Sequence, residues 1–186
     1  MTTPTNDYEE RKKFIKHLHE FVKKQILAGL YKSNIIEQLE DLGVERLDAH
    51  ELIERMEEHL RPKRKKKILV VEDEKHSREL LAEILKKHGY KVFPAEDGEE
   101  GFSVYEKVKP DLVLTDVLMP KMKGHELIAK LRKTFWVYPI PFIVLTERGL
   151  MKEYFESLEV DAFIDKPFHT DDLLDKIKKA LSKIPF

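Results

Sequence analysis

Beyond Lys67 the apolar residues change period, and that change constrains the fold more than any other feature of the chain. Residues 67–71 (KILVV), 92–93 (VF), 111–115 (DLVLT), 141–145 (PFIVL) and 162–164 (AFI) are short runs without polar alternation. Such runs belong to strands covered on both faces. Helical spacing fills the intervals: up to His88 after the first run, 97–107 after the second, from Gly124 after the third, 151–158 after the fourth, and to about Lys183 after Thr170, which is expected to cap the last helix. Strand and helix alternate five times, which predicts an α/β fold: a parallel sheet with helices on both faces. The chain has no cysteine, so disulfides, thiol catalysis and Cys-ligated zinc are excluded. No apolar run approaches the ~20 residues of a membrane span. The opening MTTPTNDYEERKK lacks the apolar stretch of a secretory signal. A cytoplasmic setting is expected.

Residues 1–60 have a different texture. Phe14, Leu18, Phe21, Val22, Ile26 and Leu30 recur at helical spacing and predict a long amphipathic helix beginning near Tyr8, with residues 1–7 frayed. Ile35, Ile36, Leu39 and Leu42 predict a second helix, capped by Ser33 or Asn34 and stopped at Gly43. Leu52, Ile53, Met56 and Leu60 predict a third, opened by the pair Asp48 and Glu51. The net charge of −1 hides a local asymmetry: residues 1–60 hold 9 basic and 13 acidic groups, whereas residues 61–67 (RPKRKKK) hold six basic and no acidic ones. Like charges in a row resist compaction, and Pro62 disfavours helix at the residue before it. The expected organisation is therefore a small all-α three-helix module at 1–60, a basic linker at 61–67 and the α/β segment at 68–186.

In open parallel sheets, ligands bind beyond the carboxyl ends of the strands. The first strand is followed by Glu72 and Asp73, the third by Asp116, the fourth by Thr146 and the fifth by Lys166-Pro167. Three carboxylates, a hydroxyl and an ammonium thus converge on one edge. Grouped carboxylates repel one another, and a hard divalent cation such as Mg²⁺ relieves that repulsion through oxygen ligands. A carboxylate oxygen left beside the metal is prepared to attack a phosphoryl group. The metal and Lys166 would neutralise the transferring oxygens, and Thr146 would donate a hydrogen bond to the product. These residue types fit formation of an aspartyl phosphate.

Five motifs stand in order: ILVVEDE at 68–74, DLVLTDVLMP at 111–120, Gly124, IVLT at 143–146 and AFIDKPF at 162–168. Together they resemble the receiver domain of bacterial two-component response regulators over the whole of residues 68–186. The resemblance implies a flavodoxin-like five-stranded parallel sheet. It implies Asp116 as phosphoacceptor, Asp73 as a direct Mg²⁺ ligand, Glu72 orienting a metal-bound water and the Leu118 backbone carbonyl completing the metal set. It also implies that Lys166 contacts the phosphoryl group, that the Lys166–Pro167 bond is cis, and that Thr146 and Phe163 form the coupled switch. A sensor histidine kinase or phosphotransfer protein would supply the phosphoryl group. The chain would promote only its own phosphorylation and dephosphorylation. Three departures from the family pattern stand out: Glu147 follows Thr146 in place of a small residue, Lys123 precedes Gly124, and only 19 residues separate Thr146 from Lys166. The last predicts a short or shifted helix after the fourth strand. Arg148 and Leu118 are expected to flank the pocket.

The three-helix module is read as an interaction module, its apolar stripe serving a downstream protein target, a second copy in a homodimer, or the receiver segment. Two other classes are open to such a chain. A DNA-binding regulator would use residues 31–67, but the third helix carries Asp48, Glu51, Glu54, Glu57 and Glu58 against Arg55 alone, a poor match to phosphates. A phosphorylation-independent adaptor would keep the acidic pocket without switching. His17 and His19 are expected on the surface of the first helix.

Overall fold

The computed structural model describes residues 4–60, 64–136, 140–147 and 159–182. It divides into two compact units, with the boundary between Arg64 and Lys65.

The first unit holds three helices: α1 (Pro4–Leu27), α2 (Lys32–Asp41) and α3 (Arg46–Leu60). Helix α1 begins at Pro4, inside the segment expected to fray; the fixed φ of proline suits a first helical turn. Helix α2 begins a residue or two earlier than its expected caps. Tyr31 occupies the N-cap without a side-chain bond, and Ser33 Oγ instead donates to Asn34 Oδ1. Its C-terminus is as expected: Gly43 adopts φ 84°, and the N–H groups of Gly43 and Val44 return to the carbonyls of Glu40 and Leu39. Asp48 lies within the first turn of α3, because that helix already starts at Arg46. Leu18, Val22, Ile35, Ile36, Leu39, Leu52, Ile53 and Met56 are buried. His19 is buried too, contrary to the surface position expected for it. The buried arc of α1 runs over Leu18, His19 and Val22 and is offset from the apolar stripe, leaving Phe14, Leu27 and Leu30 exposed.

The second unit alternates as the sequence predicts: β1 (Lys67–Val71), α4 (Lys75–Lys87), β2 (Lys91–Ala95), α5 (Gly98–Val108), β3 (Leu112–Asp116), α6 (Gly124–Thr134), β4 (Phe142–Glu147), β5 (Ala162–Lys166) and α7 (Thr170–Ser182). The helix expected over 151–158 lies outside the described residues. Thr170 is the first residue of α7 rather than its cap; Leu173 N–H returns to the carbonyl of His169. All strands are parallel, in the order β2-β1-β3-β4-β5. On one face Ile68, Val70, Leu112, Leu114, Ile143, Leu145 and Ile164 pack with Leu81 and Leu85 of α4 and Leu173 and Ile177 of α7. Each such buried side chain contributes ~1.5–3 kcal/mol of transfer free energy. On the other face α5 lies close enough to β1 that a Cβ at Gly101 would meet Val71 and Leu127.

The ends of this sheet are chemically distinct. At its β2 edge Lys91 and Ala95 bond towards β1, which turns Val92 and Pro94 outwards. The N–H that Pro94 lacks is therefore missing from the open edge, where it blocks addition of another strand. The basic run is partly absorbed into β1: Lys67 N–H donates to Asp111 Oδ2, Lys67 Nζ donates to the Val108 carbonyl, and Lys66 Nζ lies 3.9 Å from Asp111 Oδ1. The strand order reverses between β1 and β3, so the crevice that such sheets use for ligands opens beyond Val71 and Asp116.

Candidate functional site

At that crevice a pocket of about 330 Å³ is lined by Glu72, Asp73, Asp116, Leu118, Thr146, Glu147 and Lys166, together with Glu74, Ser77 and Val117. Glu72 and Asp73 leave the end of β1, and Asp116 ends β3. Carboxylate oxygens of these three acids lie within 4.8 Å of one another. Lys166, ending β5, reaches back across the crevice. Its Nζ donates to Glu72 Oε2 and to Asp116 Oδ2, each at 2.7 Å. Asp116 Oδ1 accepts from the Val117 N–H. The Lys166–Pro167 peptide is cis.

The electrostatics follow from burial. Glu72 is only 1% exposed. Desolvation raises its pKa above the ordinary value, and the nearby Asp116 charge adds to the rise; the Lys166 bond opposes them. Burial by itself would depress Lys166, but the bonds and charges of Asp116 and Glu72 outweigh it and hold the ammonium above its usual pKa. Glu72 Oε1 is buried without a hydrogen-bond partner. An orphaned carboxylate oxygen facing two more acids suits a hard cation that takes oxygen ligands, so the residues present fit Mg²⁺.

Of the expected switch pair, Thr146 is buried in the pocket wall, its hydroxyl donating to the Glu147 carbonyl at 3.0 Å. Phe163 is half-buried on the same face of the sheet, aligned with Val144 rather than with Thr146, and does not line the pocket. Glu147 stands directly opposite Lys166 in the β4–β5 register, so the sequence departure there adds an acid to the pocket rim. Leu118 lines the pocket, 52% exposed; Arg148 lies outside the described residues. Lys123 occupies the N-cap of α6, and its N–H donates to Glu126 Oε2.

Residues 68–178 match the response regulator receiver domain. The chain belongs to the response regulator receiver family. It is 36% identical over 146 residues to histidine kinase P4 of Formosa agariphila, covering 77% of this chain and 10% of that protein. It is 36% identical over 120 residues to the phosphate regulon transcriptional regulatory protein PhoB of Pseudomonas aeruginosa, covering 63% of this chain and 52% of that one. Among solved structures it resembles the response regulator TrrA of Thermotoga maritima, in complex with Mg²⁺-BeF, with 36% identity and a TM-score of 0.57 over 62% of this chain and 98% of that chain. The chain thus spans about half the length of PhoB and a tenth of the kinase. Receivers are signalling modules, and the sheet order and acidic cluster place this one with them. No helix among the described residues is long and apolar enough to cross a membrane.

Further residues build the receiver site from beyond the ends of the apolar runs. Glu74 caps α4, accepting from the N–H groups of His76 and Ser77; the Ser77 side chain, together with those bonds, pulls its pKa down to about 2. Arg78 Nη1 donates to the carbonyls of Glu72 and Asp73. Asp97, 1% exposed, caps α5 through Glu99 N–H and Glu100 N–H and also pairs with Lys121. Burial alone would raise the Asp97 pKa, but Lys121 and the two N–H groups bring it below the ordinary value. Lys121, in turn, adopts the left-handed φ of 59° in the loop between β3 and α6. A Cβ on Gly124 would run into the Asp116 carbonyl oxygen, so only glycine lets α6 start this close to the end of β3.

Proposed function

We propose that the chain is a phosphorylation-switched regulator whose receiver takes a phosphoryl group onto Asp116. The supporting observation is the Lys166 ammonium shared between Glu72 and Asp116 in a pocket with a third acid, Asp73. Glu72 (through a water), Asp73, Asp116 and the Leu118 carbonyl would hold Mg²⁺, which supplies charge neutralisation at the transferring oxygens. Asp116 attacks phosphorus in line, forming the O–P bond as the donor's P–N bond breaks and the imidazole departs with a proton. Lys166 then follows the phosphoryl oxygens, and Thr146 turns its hydroxyl from the Glu147 carbonyl to one of them. Phe163, on the same sheet face, responds to the space Thr146 leaves. Hydrolysis of the acyl phosphate by water resets Asp116. Among the protein's own reactions, only these two are proposed.

The donor class is a sensor histidine kinase or a phosphotransfer protein in the cytoplasm. Output would pass to a protein target through the receiver surface and residues 1–60, joined by the basic segment 61–67, with a second copy as one such partner. The intact acid set supports this reading over a phosphorylation-independent adaptor. PhoB is a transcriptional regulator by name. In this chain, however, α3 carries five acids, and its two arginines are paired with acids, Arg46 with Glu40 and the buried Arg55 with Glu51. That surface argues against DNA.

The test is incubation with acetyl phosphate, with and without Mg²⁺, followed by phosphoprotein gel mobility. A shifted band that requires both Mg²⁺ and Asp116, and is absent in Asp116→Asn, is expected. A band that survives Asp116→Asn would refute the assignment.

A further inference from the structure

Arg78 lies outside the pocket lining the acids, on α4, half-buried behind the loop that carries them. One nitrogen, Nη1, donates to two successive carbonyls, Glu72 at 2.6 Å and Asp73 at 3.0 Å. These two bonds fix the peptide planes on either side of Asp73, and planar peptides fix the direction in which the side chains leave the backbone. The same short loop is tied at both ends. Glu72 N–H donates to the Ala95 carbonyl, and Arg78 N–H returns to Glu74, whose side chain caps the helix. The guanidinium therefore holds the loop by its backbone and leaves the carboxylates free to face Asp116.

Resting on the phosphoacceptor reading above, we infer that Arg78 is a positioning residue for cation binding, acting through the carbonyls of Glu72 and Asp73. Two of its effects have opposite sign. As a positive charge near the site, Arg78 repels a cation, so its removal would tighten Mg²⁺ binding if charge were its whole contribution. As a strut it pre-arranges the ligands, so its removal weakens binding. Groups that orient metal ligands from behind are worth ~10–100-fold in affinity.

The experiment is calorimetric titration of MgCl₂ into the unphosphorylated full chain. Wild type is compared with Arg78→Met, Arg78→Gln and Arg78→Lys, with Asp73→Asn marking the site. Binding about 10-fold weaker is expected in Arg78→Met, with partial recovery in Arg78→Lys. Arg78→Gln keeps a neutral donor and carries the test if the Met variant does not fold; it is expected to bind several-fold more weakly than wild type. Unchanged or tighter Mg²⁺ binding in a folded variant, even with a lowered melting temperature, would overturn the inference and leave Arg78 a structural residue. Wild-type binding that Asp73→Asn does not weaken would instead overturn the metal-site reading on which the inference rests.

Discussion

Lys166 is the group on which the unliganded receiver pocket depends, and its removal has a calculable effect. Its side chain is 23% exposed, against 1% for the Glu72 side chain and 15% for that of Asp116, with both contacts at 2.7 Å. Charges about 4 Å apart at an effective permittivity of ~20 attract by ~4 kcal/mol. Desolvation cancels much of that in the intact cluster. Removing one partner from a buried pair nevertheless costs about 3–5 kcal/mol, because the remaining charge stays buried. The pocket is open at Asp73, so water relieves part of the loss, and Lys166→Met is expected to lose about 2–3 kcal/mol in Mg²⁺-free buffer at neutral pH. In a unit of this size that is a melting-point drop of roughly 10 °C. The chain's single tryptophan, Trp136, lies in the sheet unit, so its fluorescence follows this transition alone. Two signs accompany the loss. The ammonium competes with a metal for the same two carboxylates, so Mg²⁺ restores more stability to Lys166→Met than to wild type. Glu72, whose folded pKa is raised above 4.5, binds a proton more tightly when folded, so it costs stability as pH rises through its folded pKa. Without Lys166 that pKa rises further, and the variant regains stability as pH falls from neutral towards about 5. Lys166 itself, with a raised folded pKa, contributes its full share below about 10.5 and loses it as pH climbs above that. A Lys166→Met protein as stable as wild type without Mg²⁺, and equally stabilised by it, would refute the clamp.

Two further outcomes follow from the surrounding loops. Asp97→Ala removes a buried helix cap and is expected to cost about 1–2 kcal/mol. Lys121→Met loses only a pair whose lysine side chain is 56% exposed and is expected to cost less than about 0.5 kcal/mol; urea midpoints of the two variants, if equal, would show that the ion pair rather than the cap holds the loop. Gly124→Ala places a methyl against backbone at Asp116, which cannot rotate aside as a side chain can. It is expected to cost about 1–3 kcal/mol and to slow acetyl phosphate labelling several-fold; labelling at the wild-type rate would show that the end of β3 tolerates the shift.

The acids, the hydroxyl and the lysine were legible because each stands within two residues of the end of an apolar run, and parallel sheets present such positions on one edge. Element boundaries were less so. Strand β3 runs one residue further than its apolar run and takes in Asp116, while β4 continues through Thr146 and Glu147. Pairing with neighbouring strands extends a strand past the point where hydrophobicity ends. The same override moved the start of α2: its expected caps, Ser33 and Asn34, bond each other, and the helix opens at Lys32. His19 went to the interior because burial on α1 follows the packed arc, which side-chain hydrophobicity only approximates.

The struts were illegible for a different reason. Arg78 and Asp97 act across space on partners whose own sequence neighbours give no hint of the contact: a surface-type arginine five residues beyond the acids, and an aspartate at the expected start of a helix. Both tie the carboxyl edge together, Arg78 within the β1–α4 turn and Asp97 from the start of α5 to the β3–α6 loop. Those two loops, with Asp116 at the end of β3, supply every proposed metal ligand. A pocket that gathers three carboxylates around one ammonium is electrostatically loaded, and its loops would open without such ties. The residues that do the chemistry therefore sit where hydrophobic pattern points, while those that hold them in place are recognisable only from the folded contacts.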